Sequence, residues 1–284
     1  MQRRQEWMRN FLLEEGQEPL AFVGEANTQD SPTDVARSMQ TALGLLGEWA
    51  KQERSWGDAL RLLRQAIEAA EIMVVVNGVV GNNTHRPLDV NEFRGFVLVD
   101  SIVPLIFVNG KDAKCAQMFT LAHELAHIWI GEEGVSNLDR LQPVGSAVEV
   151  FCNKVAAEFL VPAQRLQTEW HIVSMHPDRF SRLARTFKVS ALVAARRALD
   201  LQYITRQEFF DFYDGQIRES AEHRQQSKAK GGDFWRTQRV RIGDLFGGAV
   251  AQAVWTGRLL YRDAYKLTGL RGKTFDNYIA SLGL

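Results

Sequence analysis

Residues 117–130 read Gln117-Met118-Phe119-Thr120-Leu121-Ala122-His123-Glu124-Leu125-Ala126-His127-Ile128-Trp129-Ile130. Most of this run is apolar all round, so it is expected to form a helix with little surface in water. Its polar residues are not scattered. At about 100° per residue, Gln117, Thr120, His123, Glu124 and His127 fall within a sector of roughly 120°, one polar stripe on an otherwise buried helix. His123 and His127 stand four residues apart, about 6 Å along the axis and on one face, which lets two imidazoles converge on a single ion. Glu124 lies beside them, angled toward the space next to that ion.

Six histidines in a chain of this length give a chance His-Glu-x-x-His at roughly one in a hundred, and a single buried His is more often a satisfied core residue. Two histidines and a glutamate on one buried helix are another matter. They are costly to desolvate without compensation, and a divalent ion supplies it. If the ion is a catalytic zinc, it needs a third protein ligand and an open position. The next helical pattern, Ser146 to Glu158, offers one. Val148, Phe151, Cys152, Val155 and Phe159 make its apolar face, with Glu149, Asn153 and Ala156 along one edge. Glu149 is the candidate ligand, and Asn153, one turn on, is placed to orient a metal-bound imidazole through its second ring nitrogen. Ser146-x-x-Glu149 is also a capping box, in which Glu149 only satisfies a helix end. Glu158 is a rival ligand on the opposite side of the helix.

At these residues the sequence resembles the ImmA/IrrE metallopeptidases. The passages that carry the resemblance are Phe107-Val-Asn109, Phe119-Thr-Leu-Ala-His123-Glu124-Leu-Ala-His127 and Glu149-Val-Phe-Cys-Asn153 through Pro162. It is strongest over residues 72–162 and continues less specifically toward the carboxy terminus, through Gly231-Gly232-Asp233 and Asp263-Ala264-Tyr265. The resemblance implies a gluzincin-type site with Zn2+ held by His123, His127 and Glu149. It also implies a substrate class, Xre-type repressors or antitoxins, and a setting in bacterial regulatory or toxin–antitoxin loci where a toxin is a further partner. Longer members carry their own amino-terminal Xre domain; this chain is expected to be a form without it. The implied fold is α+β, a zincin-like metallopeptidase core with a small sheet and active-site helices. A mainly helical, helix-turn-helix-like region and a small C-terminal region are expected to follow it.

The flanking sequence fits that outline. Three strand patterns precede the motif helix, at Ile72 to Val76, Gly95 to Val99 and Leu105 to Val108, separated by turn-rich stretches such as Gly81-Asn82-Asn83. Upstream, Ser31-Pro32 opens one helix that stops near Gly44, and a second follows Ser55. Downstream, helices are expected over 146–160, 178–187, 190–200 and 205–222, with Pro143, Pro162 and Pro177 as punctuation. The stretch Ser227 to Asp233 reads as a linker, followed by a short strand and two or three helices. The organisation expected is therefore residues 1–70 as a helical segment, 71–175 as the core, 176–226 as the helical region and 227–284 as the C-terminal region.

Composition narrows the function. With 34 Lys+Arg against 34 Asp+Glu, the chain does not rely on broad electrostatic attraction to nucleic acid. Local asymmetry remains, acidic between Glu124 and Glu149 and basic from Arg179 to Arg197. The two cysteines, Cys115 and Cys152, form no Cys-x-x-Cys pair and are expected as small buried hydrophobes. With no apolar h-region at the amino terminus and no run of bilayer length, the reading is a reducing cytoplasm and no membrane. At this length a core needs no metal to hold it, so a metal is expected to serve chemistry.

Two functions follow. The first is a zinc endopeptidase in which Glu124 is the general base and, at the end of the reaction, the proton donor to the leaving amine. In it, a sheet-edge strand at 95–99 or 105–108 pairs with an extended substrate, and His85, Arg94, His171 or His176 stabilises the oxyanion. The alternative is a non-proteolytic regulator that binds DNA or a toxin around a structural or vestigial metal. Its DNA-reading element would be the helix pair from Phe180 to Arg197, capped at Ser190; the same pair also reads as a helical brace for the active site, which the small basic set favours.

Overall fold

The three apolar runs after residue 72 pair into one sheet in the computed structural model, which describes residues 1–81, 83–132, 134–136, 146–224 and 234–283. The sheet contains β1 (Met73–Asn77), β2 (Gly95–Leu98), β3 (Leu105–Asn109) and β4 (Gly134–Ser136), in the order β1-β3-β2-β4. β1 runs parallel to β3 with Met73 opposite Leu105. β2 runs antiparallel to both β3 and β4, with Phe96 opposite Phe107 and Gly95 opposite Ser136. All five residues of both β1 and β3 are buried. That is what strands covered on both faces require.

Helices α1 (Gln2–Glu14), α2 (Pro32–Ala42) and α3 (Trp56–Ala69) precede the sheet, and α4 (Lys114–Ile130) carries the histidine motif. Next come α5 (Ala147–Leu160), α6 (Ala163–Val173), α7 (Arg179–Phe187), α8 (Ala191–Asp200) and α9 (Arg206–Arg224). The last group is α10 (Phe234–Ile242), α11 (Asp244–Trp255), α12 (Tyr261–Thr268) and α13 (Lys273–Ser281). The alternation of the strands divides the core in two. Val74, Val76, Val97, Ile106 and Val108 join the apolar residues of α2 to α5 on one face. Met73, Val75, Leu105 and Phe107 join Met8 and Phe11 of α1 and Phe246, Val250 and Tyr278 of α11 and α13 on the other.

The segments before the sheet are built into this arrangement. Arg4 of α1 donates to the carbonyls of Leu267 (2.8 Å), Arg241 (3.0 Å) and Thr268 (3.3 Å), and its guanidinium lies 5.5 Å from the Phe246 ring centroid. On α3, the Glu68 carboxylate accepts the free backbone N–H groups of Asp244 (2.7 Å) and Leu245 (3.3 Å) at the start of α11. Residues 20–26 form a strap across the end of α4. Gly24 N–H donates to Ile128 O (3.0 Å) and Ala26 N–H to Trp129 O (2.8 Å), which satisfies two carbonyls the helix leaves open. Gly24 and Gly131 meet back to back at φ +74° and +79°, and a Cβ on Gly131 would lie 3.1 Å from Gly24 Cα. Phe22 stacks on Trp129 with centroids 4.4 Å apart, and Trp129 Nε1 donates to Ser38 Oγ at 3.0 Å.

Three elements have no counterpart in the sequence reading: α1, α6 and the short β4. Residues 234–283 hold four helices, and the short strand expected there is absent among the described residues. The expected linker at 227–233 and the punctuation at Pro143 lie outside the described residues. Among the described residues no helix is long and apolar enough to cross a membrane.

Candidate metal centre

Helix α4 buries nearly its whole circumference, and of its polar stripe His123 and His127 face α5 while Thr120 and Glu124 lie against β2. Gln117, Thr120, His123, Glu124 and His127 are all buried. Ser146 caps α5, its Oγ accepting from Glu149 N–H at 3.4 Å. The carboxylate of Glu149 does not close a capping box. It turns to the histidines, with Oε2 3.1 Å from His123 Nε2 and Oε1 3.3 Å from His127 Nε2, and the two Nε2 atoms are 3.2 Å apart.

These separations test whether the residues fit an ion. Ligand atoms about 2.0–2.1 Å from a zinc in tetrahedral array lie roughly 3.3–3.4 Å from one another. The observed edges of 3.1, 3.2 and 3.3 Å match that spacing. Among the described residues, His123, His127 and Glu149 are the one group of three or more His, Cys, Asp or Glu side chains close enough to share an ion. Glu149 is 31% exposed against 0% and 1% for the histidines, so the centre opens to solvent on the Glu149 side. Both cysteines are free, Cys152 buried and Cys115 half-buried.

The supporting contacts set the protonation states. Asn153 Oδ1 lies 3.1 Å from His123 Nδ1 and accepts its proton, which leaves the Nε2 lone pair facing the centre. Burial pushes the His123 pKa down, against the pull of Glu149. For His127, burial acts downward too, but the hydrogen bond to Glu149 and the charge of Glu124 outweigh it and hold the ring above its ordinary value. His127 Nδ1 has no hydrogen bond of ordinary geometry among the described residues; the Glu132 backbone is its nearest support. Contact with the two imidazoles holds the Glu149 carboxyl well below the usual carboxylate range.

The other candidates lie elsewhere. Glu158 forms a buried ion pair with Arg197 of α8 and accepts from Ala163 N–H at 3.0 Å, capping α6. Arg94 is paired with Asp112 at 3.0 Å, while His85, His171 and His176 are exposed. None of these four is hydrogen-bonded to the centre among the described residues. α7 and α8 are two helices joined by a tight turn, with Lys188 at φ 55° and Ser190 Oγ accepting from Val193 N–H at 3.1 Å. Yet Asp200 is the one exposed residue of α8, and Arg197 is buried against Glu158 and the Val161 carbonyl. Through Arg197 that helix braces α5, and its other outward residues, Arg196 among them, are only partly exposed.

One residue of the site carries no strong signal in the sequence. Gly95 of β2 passes so close to α4 that a Cβ there would lie 2.5 Å from Thr120 Cγ2, 2.8 Å from Phe107 O and 3.3 Å from Glu124 Oε1. A glycine within a strand pattern hints at close backbone approach, but not at what approaches.

A buried helix with an i, i+4 histidine pair, a carboxylate from the next helix and a small mixed sheet beside them define a metallopeptidase-like core. Residues 68–199 match the IrrE N-terminal-like domain of the M78 peptidase family. Residues 242–281 match a domain of unknown function, DUF8813. No curated protein matches the chain.

Proposed function

We propose that this chain is a zinc-dependent endopeptidase that hydrolyses a peptide bond in a regulatory protein, an Xre-type repressor or an antitoxin. The observation that carries the reading is the triangle of His123 Nε2, His127 Nε2 and Glu149 carboxylate oxygens, with edges of 3.1–3.3 Å and one open side. His123, His127 and Glu149 would hold the ion. When bound, zinc supplies Lewis-acid polarisation of a carbonyl and brings a water molecule's pKa toward 7. Glu124, next to His123 on the same buried stripe, takes the proton released in attack and hands it to the leaving amine. Asn153 fixes the His123 ring so that Nε2 stays unprotonated. The substrate class rests on the family resemblance alone.

The test is Glu124→Gln. The variant should bind zinc as the wild type does, retain a natural protein partner and fail to cleave it. Unchanged cellular function in that variant overturns the proteolytic reading and favours the binding protein. Loss of zinc on His127→Ala, with the fold retained, tests the metal assignment separately.

A further inference from the structure

The C-terminal helices carry a second surface that the metal centre does not use. α12 and α13 are short and joined by four residues, Gly269 to Gly272, with Gly269 in the left-handed region at φ 76°. A turn of three or four residues, often with a glycine, is the connection found in a helix-turn-helix. Packing holds the second helix firmly. Phe275 sits edge-on to Tyr261 and Tyr265 of α12, with centroids 6.0 and 5.3 Å away. Tyr278 lies so close against α11 that a Cβ on Gly247 would overlap its hydroxyl.

Phe275, Tyr278 and Ile279 thus take one face of α13 into the core, while Lys273, Asp276, Asn277, Ala280 and Ser281 remain exposed on the other, with Arg271 exposed in the turn. Over residues 261–281 four cations (Arg262, Lys266, Arg271, Lys273) stand against two carboxylates (Asp263, Asp276). Arg262 and Lys266 share Asp263, and Arg271 and Lys273 are in no ion pair among the described residues. α7 and α8 are joined by three residues, 188–190, and only Asp200 of α8 is exposed, whereas α13 presents five exposed residues. The exposed types are those that read base edges: Lys pairs with guanine, Asn with adenine, and Asp accepts from cytosine.

We propose that residues 244–281 form a helix-turn-helix module that binds duplex DNA, with α13 as the helix entering the major groove. Lys273, Thr274 and Asn277 meet base edges, and Arg271 meets the phosphate backbone. The DNA lies on the far side of the sheet from the metal centre, because α11 and α13 pack on the face opposite α4. Binding is independent of the peptidase reading, and the Glu124→Gln protein binds DNA as the wild type does.

The experiment uses the full chain and fluorescein-labelled duplexes of about 30 base pairs, roughly three helical turns, drawn from a randomised library and followed by anisotropy. The wild type should bind at low salt, weaken steeply as salt rises, and select a preferred sequence. Arg271→Glu with Lys273→Glu should cost about tenfold or more in affinity and flatten the salt dependence. Asn277→Ala should keep the salt-dependent binding and lose preference at one or two positions. Arg196→Ala, in α8, should bind as the wild type does. All these positions are at least partly exposed, and an unchanged unfolding midpoint shows that the fold is intact. No binding at low salt overturns the proposal, as does binding that ignores the Arg271 and Lys273 reversals or follows Arg196. So does a result in which those reversals release a protein seated on the exposed Trp255 and Leu260 while DNA binding is unaffected.

Discussion

Gly95→Ala is the most exacting test of how β2 and α4 meet. Gly95 lies outside the left-handed region, so alanine meets no backbone penalty and would ordinarily add roughly 0.4–1 kcal/mol by restricting the unfolded chain. The obstacle is steric. The new methyl would lie 2.5 Å from Thr120 Cγ2 and 2.8 Å from Phe107 O, and the second of these is backbone in the middle of the sheet. Overpacking of this kind costs about 1–3 kcal/mol, so a net loss of roughly 1–2 kcal/mol is expected. The strain falls on the helix turn that carries His123 and Glu124. A displacement near 1 Å at a proton-transfer group costs on the order of a hundredfold in rate. Urea unfolding gives the stability, and turnover of the substrate retained by the Glu124→Gln protein gives kcat. Adding Thr120→Ser, which deletes Cγ2, should recover part of both losses. If Gly95→Ala is as stable and active as the wild type, β2 and α4 are not in the contact described. If Thr120→Ser recovers nothing, Thr120 is not the obstacle.

Other consequences are open to measurement. Asn153→Ala should weaken zinc affinity by about 10- to 100-fold while the unfolding midpoint of the metal-free protein barely moves, because it frees the far nitrogen of His123; competition with a chelator reads this out. Glu158→Ala leaves Arg197 buried without its partner and α6 uncapped, so a loss of about 3–5 kcal/mol is expected in chemical denaturation. Replacing both Glu158 and Arg197 with methionine should recover much of that loss, and a single-variant loss under 1 kcal/mol would refute the buried pair. Glu68 has its pKa pushed up to about 7 by burial, against the opposing pull of Arg64. A carboxyl whose folded pKa exceeds its unfolded value holds its proton preferentially in the folded state. The contribution of this group to stability is therefore greatest below pH 4.5 and falls as pH rises toward 7, by about 3 kcal/mol at most. Glu68→Gln should be flat over that window relative to the wild type, and parallel stability curves would count against the assignment.

Elements with a local period were legible in the sequence, and elements whose burial depends on distant partners were not. β1, β2 and β3 fall within a residue of the apolar runs that announced them, and α4 and α5 likewise, because each carries its own pattern and cap. α1 buries only Met8 and Phe11, and their partners lie in the sheet and in helices more than 230 residues further along. No local window contains that information. α6 starts directly after Pro162, which reads equally as a stop or as an N-terminal signal, and β4 is too short to show alternation. In the site, the helical angle brought Glu149 to the histidines and set Glu158 on the other side. What Glu158 does there required Arg197, 39 residues later and on another helix. The basic run from Arg179 to Arg197 likewise gave no hint of its partners, Glu158, Asp178, Asp200 and Glu208, of which Glu158 draws Arg197 inward while Arg182 and Arg185 stay exposed.

Arg4 also bears on the order in which the chain acquires its structure. The ribosome makes α1 well before the carbonyls that Arg4 clasps, which belong to residues 241, 267 and 268. At about 5–20 residues per second, α1 waits on the order of ten to fifty seconds for its docking surface. Through that interval Trp7, Met8 and Phe11 have only the sheet residues of their cluster, Met73, Val75, Leu105 and Phe107, and the helices that complete it are missing. The parallel β1–β3 pair is exposed on the face that α1 and α11 later cover, and nascent chains are then vulnerable to pairing with one another. The cluster around α1 is complete only once α11 to α13 are in place, so a chain interrupted before α11 cannot complete it.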